Sequence, residues 1–262
     1  MAIPGKVGNV YSSALLVEDC EDVWVAGTAA SVISVVTGKV GTYCVRDTTT
    51  TLGASALMMT EVVSKNLTTY DGIYFWFRSS VNTSAGDLAL LLDDNDLCPT
   101  PLEVLNTPAF TATTWKQCFA RLSDPSLLGG INSIGMRQVT DLADGTFDID
   151  DVQALKEIDG IKSWTLDYTS DTLDVKDFDD AGVKAYIVGG SGWSGSFEGY
   201  KDTTPLGIGA EVYLVLGEST TAYQNWIGKA IITACHPFTS HDGIVTYSYD
   251  FQGTGELQSP DA

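Results

Sequence analysis

GIVTYSYDFQGTGEL, residues 243–257, decides the fold class. Val245, Tyr247, Tyr249 and Phe251 alternate with Thr246, Ser248 and Asp250, and a period of two puts the apolar set on one strand face and the polar set on the other. The same period recurs far upstream, where Ile73, Phe75 and Phe77 alternate with Tyr74, Trp76 and Arg78, a strand bulky on both faces. The 29 threonines, 21 serines, 26 glycines and 8 prolines outnumber the strong helix formers, and apolar residues seldom recur at spacings of three and four. The chain therefore reads as all-β.

Outward from these two anchors, short strands are expected at 31–36, 42–46, 56–63, 87–92, 114–120, 131–137 and 146–152. Turn material separates them: TTTTLG at 48–53, NTSAG at 82–86, DDNDLCPTP at 93–101 and LADG at 142–145. SDPSLLGG at 123–130 suggests one helical turn. Eight to ten strands at this spacing predict a sandwich of two sheets. The polar run QALKEIDGIKS at 153–163 marks a boundary, which divides the chain into 1–157 and 158–262. The second part offers seven short strands: SWTLD, DTLDVKDF, GVKAYIV, WSGSFEGY, AEVYLVLG, WIGKAIITA and GIVTYSYDFQG, which fit one small antiparallel barrel or sandwich.

The 262 residues include 34 Asp and Glu against 14 Lys and Arg, a net charge of −20 shared equally between the two parts. Such a surface repels nucleic acid and anionic lipid. With 44% hydrophobic and 10% aromatic residues the chain has enough apolar surface to build real cores, and no apolar run approaches the ~20 residues of a membrane-spanning helix. The opening MAIPGKVGNVYSSALLV is a poor secretory signal, so synthesis in the cytoplasm is expected. Five cysteines, at 20, 44, 98, 118 and 235, form no CxxC pair and read as reduced, packed thiols. His236 and His241, the only histidines, flank no HExxH helix, which argues against a zinc enzyme.

Catalytic signatures are weak throughout. The acidic pairs in DDND at 93–96 and FDIDD at 147–151 do not by adjacency supply the separation that glycoside hydrolysis needs. No GxSxG elbow holds a serine, and GGSGWSG at 189–195 lacks the lysine and helix of a phosphate-binding loop. No enzyme is expected.

The order of SWTLDYTSDTLDVKDFDDAG (163–182), WSGSFEGYKD (193–202), VYLVLG (212–217), IGKAIITA (227–234) and GIVTYSYDFQGTGEL (243–257) resembles the tube domain of the lambda-like major tail proteins of long-tailed bacteriophages. The resemblance covers about the last 100 residues and implies a small β-barrel-like sandwich. Copies would join edge to edge into hexameric rings that stack as a DNA-conducting tube, in contact with other tail proteins. The family carries a long arm near its start that reaches the next ring; here a whole domain stands upstream instead, and residues 167–182 or the C-terminal end are the alternative stacking segments. A lumen that passes DNA should repel phosphate, which makes Asp167, Asp171, Asp174, Glu211 and Asp250 candidate lumen residues.

Residues 10–157 resemble a jelly-roll domain of the carbohydrate-binding-module or galactose-binding-like type. The resemblance is carried by LLVEDCEDVWVAG (15–27), LTTYDGIYFWFRSS (67–80), AGDLALLLDD (85–94), TATTWKQCFARL (111–122), INSIGMRQ (131–138) and GTFDIDDVQAL (145–155). It implies a structural Ca²⁺, for which Glu18, Asp19 and Asp150 are the candidate ligands, and a glycan platform drawn from Trp24, Tyr74, Trp76 and Trp115. The combined expectation is a non-enzymatic virion protein: a tail tube subunit whose outward jelly roll adheres to host-surface glycans, with avidity from many copies. The alternatives are a carbohydrate-binding surface or secreted protein, and another phage ring protein of the same fold, a head–tail connector or baseplate component.

Overall fold

A computed structural model describes residues 9–174, 186–201, 204–218, 223–239, 241 and 243–260. Among the described residues the chain is all-β, with one 3-10 turn at Pro125–Leu127 inside the segment read as a helical turn. Asp124 caps that turn by accepting the Ser126 amide, and Pro125 opens it.

Five strands, β2 (Val25–Ala26), β5 (Leu57–Lys65), β10 (Ile131–Gln138), β7 (Leu88–Asp93) and β8 (Glu103–Asn106), form one antiparallel sheet in that order. A second sheet runs β12 (Ile161–Asp174), β13 (Tyr186–Tyr200), β16 (Thr246–Gly253), β15 (Asn225–Phe238), β14 (Glu211–Gly217), β1 (Asn9–Glu18), β11 (Gly145–Glu157), β4 (Tyr43–Thr49), β3 (Ser31–Thr37). On the other side of β11 it continues through β6 (Gly72–Ser79) to β9 (Lys116–Arg121). All seven strands expected in the first part are present, within a few residues of the expected bounds.

The two sheets of the first part enclose a core that includes Phe75, Phe77, Phe147 and Ile149 from one side and Met58, Leu90, Ile134 and Met136 from the other. Strand β11 holds the key irregularity. Phe147 and Ile149 face this core before Asp151, and Val152 and Ala154 face it after, so parity reverses where Asp151 adopts φ 50°. A left-handed non-glycine residue costs about 1 kcal/mol or more, and here it creates a bulge that turns Gln153 and Leu155 outward.

Strand β1 was not legible as a strand, because NVYSSALLVE breaks its apolar run with two serines. Its first residues pair with β14 and its later ones with β11, which makes one continuous sheet through both parts of the chain. Val10 belongs to a second core and Val17 to the first. The polar run 153–163 is largely strand, interrupted only between Glu157 and Ile161.

The second core contains Trp193, Phe197, Val212, Leu214, Leu216, Ile232, Tyr249 and Phe251, all from strands of one sheet, which curls around them. The expected run of seven short strands resolves into five among the described residues, of which β12, β13 and β15 are long. SWTLD and the start of DTLDVKDF are one strand, β12, and the end of GVKAYIV continues into WSGSFEGY as β13. The remainder of those two segments, within 175–185, lies outside the described residues.

Two glycines explain the closing FQG pattern. A Cβ on Gly253 would stand 2.1 Å from the Trp193 ring, and one on Gly228 would stand 2.6 Å from it. Trp193 lies across both backbones, and its Nε1 donates to the Gly255 carbonyl at 2.9 Å. WSGSFEGY and FQGTGEL, distant in sequence, thus meet in one packing unit.

Candidate interaction surfaces

The β12–β13 hairpin is far longer than the strand beside it. β12 and β13 pair from Ile161 opposite Gly199 out to Asp174 opposite Tyr186. β16 flanks β13 only from Ser194 to Tyr200. The distal half, 169–174 with 186–192, is therefore a two-stranded ribbon without a third strand among the described residues. It carries Leu173, Tyr186, Ile187 and Val188 in exposed positions, Val188 at 78%. A lone two-stranded ribbon is marginally stable in water, and exposed β-branched and aromatic residues on it favour pairing with a further strand or surface.

The candidate lumen acids distribute unevenly. Trp164 and Leu166 pack toward the second core, so Asp167, between the latter and Tyr168, projects to the opposite face. Asp250 lies between the buried Tyr249 and Phe251, and Glu211 precedes the buried Val212, so both share that outer face. Asp171 is exposed on the free ribbon at a register shift between Ser170 and Thr172, and Asp174 is the last residue of β12. Two of the described side chains have a basic residue beside them: Asp250 Oδ2 lies 3.2 Å from His236 Nε2, and Glu211 Oε2 lies 3.8 Å from Lys229 Nζ.

Three of the four candidate platform aromatics are buried. Trp24, Tyr74 and Trp76 are 2%, 3% and 7% exposed, so a sugar has no access to their faces. Trp24 belongs to the first core. Tyr74 and Trp76 project from the opposite face of β6 and form a third cluster with Tyr11, Leu155, Tyr213, Val215 and Ile227. The aromatic row that reads as a binding surface is the seat on which β14 and β15 rest. Polar contacts close its rim: Lys39 Nζ pairs with Glu256 at 2.7 Å, and Gln117 Nε2 donates to the Glu256 carbonyl at 3.0 Å. Trp115 is partly exposed, but the Arg78 guanidinium lies over its ring at 4.6 Å.

Burial, and then the charges of Glu18, Asp150 and Asp19, raise the Cys20 thiol, so all three candidate calcium ligands stand around that residue. Asp150 Oδ2 accepts the backbone amides of Lys39 at 2.7 Å and Val40 at 2.9 Å, which fixes the carboxylate in place. Glu18 accepts the Cys20 amide, and Asp19 accepts that of Glu21 within its own loop. Asp150 Oδ1 is buried without a hydrogen-bond partner, yet among the described residues no three His, Cys, Asp or Glu side chains gather closely enough to hold an ion. A Ca²⁺ needs about six to eight oxygens, so backbone carbonyls and waters would have to complete any site built on Glu18, Asp19 and Asp150. Burial pushes the Glu18 carboxyl up to about 7 and that of Asp150 to about 6.

The acidic pairs weighed for hydrolysis are occupied structurally. Asp93 is buried and accepts from the amides of Asn95 and Thr100, which helps hold its carboxyl below the usual range despite burial. Asp148 takes Arg46 Nε at 2.7 Å and Nη2 at 2.9 Å, and also Arg78 through Nε at 2.8 Å and through Nη2. Sequence reading missed this Arg46–Asp148–Arg78 triad. Its only trace was that two of the chain's four arginines stand inside otherwise apolar or hydroxyl-rich strands.

No protein-family model matches the chain, and no curated protein matches it. Among solved structures, it is similar to a chain in the tail of an empty gene transfer agent particle, obtained by helical refinement with C6 symmetry. The identity is 17%, over 41% of this chain and 87% of that one, at a TM-score of 0.32. A chain in the virion of a native gene transfer agent particle is similar at 19% identity, over 41% of this chain and 89% of that one, at a TM-score of 0.31. Likeness at that level is too loose to fix a fold or a role for this chain.

Proposed function

We propose that the chain is a structural subunit of a bacteriophage-type tail, in which residues 158–262 join copies into stacked rings around a DNA-conducting lumen and residues 1–157 decorate the outside. The observation that carries this reading is the β12–β13 ribbon, which extends past its last flanking strand with Leu173, Tyr186, Ile187 and Val188 exposed. A monomer gains nothing from such an element, whereas a self-assembling one uses it to reach a neighbouring copy. It also stands near the start of the second part, where the resemblance places an inter-ring arm. The sheet face with Asp167 on β12 and Asp250 on β16, away from the stretch of β14 where Glu211 adjoins the covered Tyr213, suits a wall that DNA must pass without sticking. Asp171 and Asp174, on or at the end of the ribbon, belong to the contact zone in this reading.

The test is to express the full chain and follow its assembly by light scattering and negative-stain electron microscopy, alongside the protein inventory of purified particles from its source. Rings or hollow tubes, with the chain among the abundant tail bands, support the proposal. A chain absent from purified particles that also stays monomeric at high concentration overturns it.

A further inference from the structure

We propose that a cleft on the first part of the chain, walled by Arg46 and Arg78, binds the carboxylate of an acidic sugar unit such as a uronate. The cleft has a volume of about 170 Å³ and is lined by Arg46, Arg78, Ser79, Ser80, Thr113 and Thr146. That is smaller than the roughly 300 Å³ at which pockets for drug-sized ligands begin, so it seats one small unit rather than a run of them.

The charge arithmetic is local. Two guanidiniums face one carboxylate, Asp148, whose side chain is 2% exposed, so the triad keeps one positive charge in a chain of net −20. Both arginines engage Asp148 through Nε and Nη2, which leaves each Nη1 outside the pair, and their side chains remain 29% and 26% exposed. Asp148 and the Trp115 ring under Arg78 hold the two planar forks in place before any ligand arrives. A second carboxylate completes the set, because arginine matches that group with two parallel hydrogen bonds. The chain's overall negative field opposes the approach of an acid, but it is screened within about 8 Å at physiological salt.

The rest of the lining selects for hydroxyl groups near the carboxylate. Thr113 and Thr146, both hydroxyl-bearing, line the cleft, and Ser80 Oγ accepts the Thr146 amide at 2.8 Å, which ties the two walls together. Thr113 itself adopts φ 66°, a left-handed conformation that a β-branched residue rarely takes, while its amide donates to the Ser79 carbonyl at 2.7 Å. Strain of this kind persists where the surroundings fix a residue for a purpose, and here it holds a hydroxyl-bearing side chain at the cleft wall. This site does not depend on whether the chain builds a tail.

The decisive experiment needs no variant. The Arg46 and Arg78 Nε–H signals of the intact chain are followed by NMR while sodium glucuronate, glucose and sodium acetate are titrated separately at equal ionic strength. Saturable shifts with glucuronate, with much weaker response to glucose and acetate, support the proposal. No shift with glucuronate overturns it; an equal response to acetate overturns the sugar selectivity, and an equal response to glucose overturns the carboxylate. Arg78→Gln should weaken glucuronate binding about tenfold or more, since a charged hydrogen bond is lost. Thr146→Val, which leaves the ion triad intact, should weaken it less and in the same direction.

Discussion

The rings of Tyr74 and Tyr213 lie 4.9 Å apart at 60°, edge to face, although one stands on β6 and the other on β14. Both are nearly fully buried, and the same cluster includes Tyr11 of β1, the strand shared by both parts of the sheet. The two parts are therefore coupled twice, by backbone pairing through β1 and by an aromatic seat. Tyr213→Ala should cost about 3 kcal/mol, as for a large buried side chain removed, and should split thermal unfolding into two calorimetric transitions. A single transition with little loss of stability would show that the aromatic seat contributes nothing to the coupling.

Gly253 lies beneath Trp193 with no room for a Cβ, since the nearest ring atom would be 2.1 Å away. Gly253→Ala should push the indole off its bed and break the Nε1 hydrogen bond to Gly255, at a cost on the order of 1 to 3 kcal/mol. The checks are chemical denaturation and a shift in tryptophan emission toward that of a wetter indole. Gly255→Ala is the control, because nothing lies within 4 Å of the Cβ it would add.

The period-two pattern carried the fold class and most strand positions, because an amphipathic or doubly buried strand writes its faces directly into the residue order. Tyr247, Tyr249 and Phe251 pack toward one core, as their alternation requires. β1 escaped notice for a physical reason: its pairing partners, 134 to 206 residues away, stabilise a stretch whose own composition is ambiguous. The aromatic face of β6 was misread for a related reason. Alternation shows that Tyr74 and Trp76 point away from the first core, but not that another part of the chain covers them. The Arg46–Asp148–Arg78 triad was illegible because its members are 32 and 70 residues apart and meet only through the register of β4, β11 and β6.

Asp47 supplies a pH dependence whose sign follows from burial. It is fully buried, its Oδ2 accepts Ser31 Oγ at 3.0 Å, and its Oδ1 has no hydrogen-bond partner. Burial raises its carboxyl to about 7 from an ordinary 3.8, against the lowering effect of the Ser31 and Val32 hydrogen bonds. An acid whose folded-state value is raised stabilises the fold fully below about pH 4, and the contribution disappears as pH rises through 7. Asp47→Asn removes the titration and keeps an acceptor for Ser31. The variant's stability relative to the parent should therefore climb between pH 4 and pH 8 by on the order of 2 to 4 kcal/mol. A pH-independent difference in denaturation midpoint would mean that Asp47 titrates normally.

Ile187 and Val188 test assembly separately from folding. Both stand on the part of β13 that β16 does not flank, at 52% and 78% exposure, so replacing them removes little buried surface. Ile187→Asp with Val188→Asp should change thermal stability only slightly, since exposed substitutions usually stay within about 0.5 kcal/mol each. If the ribbon joins copies, the same pair places two charges in an apolar contact and should abolish rings or tubes seen by negative-stain microscopy. Asp171 lies on the same ribbon, and Asp171→Asn should strengthen assembly if the contact is limited by repulsion between copies. Assembly that survives the double substitution would move the joining surface to another open strand, for which β8 and β3 stand at the ends of their sheet paths.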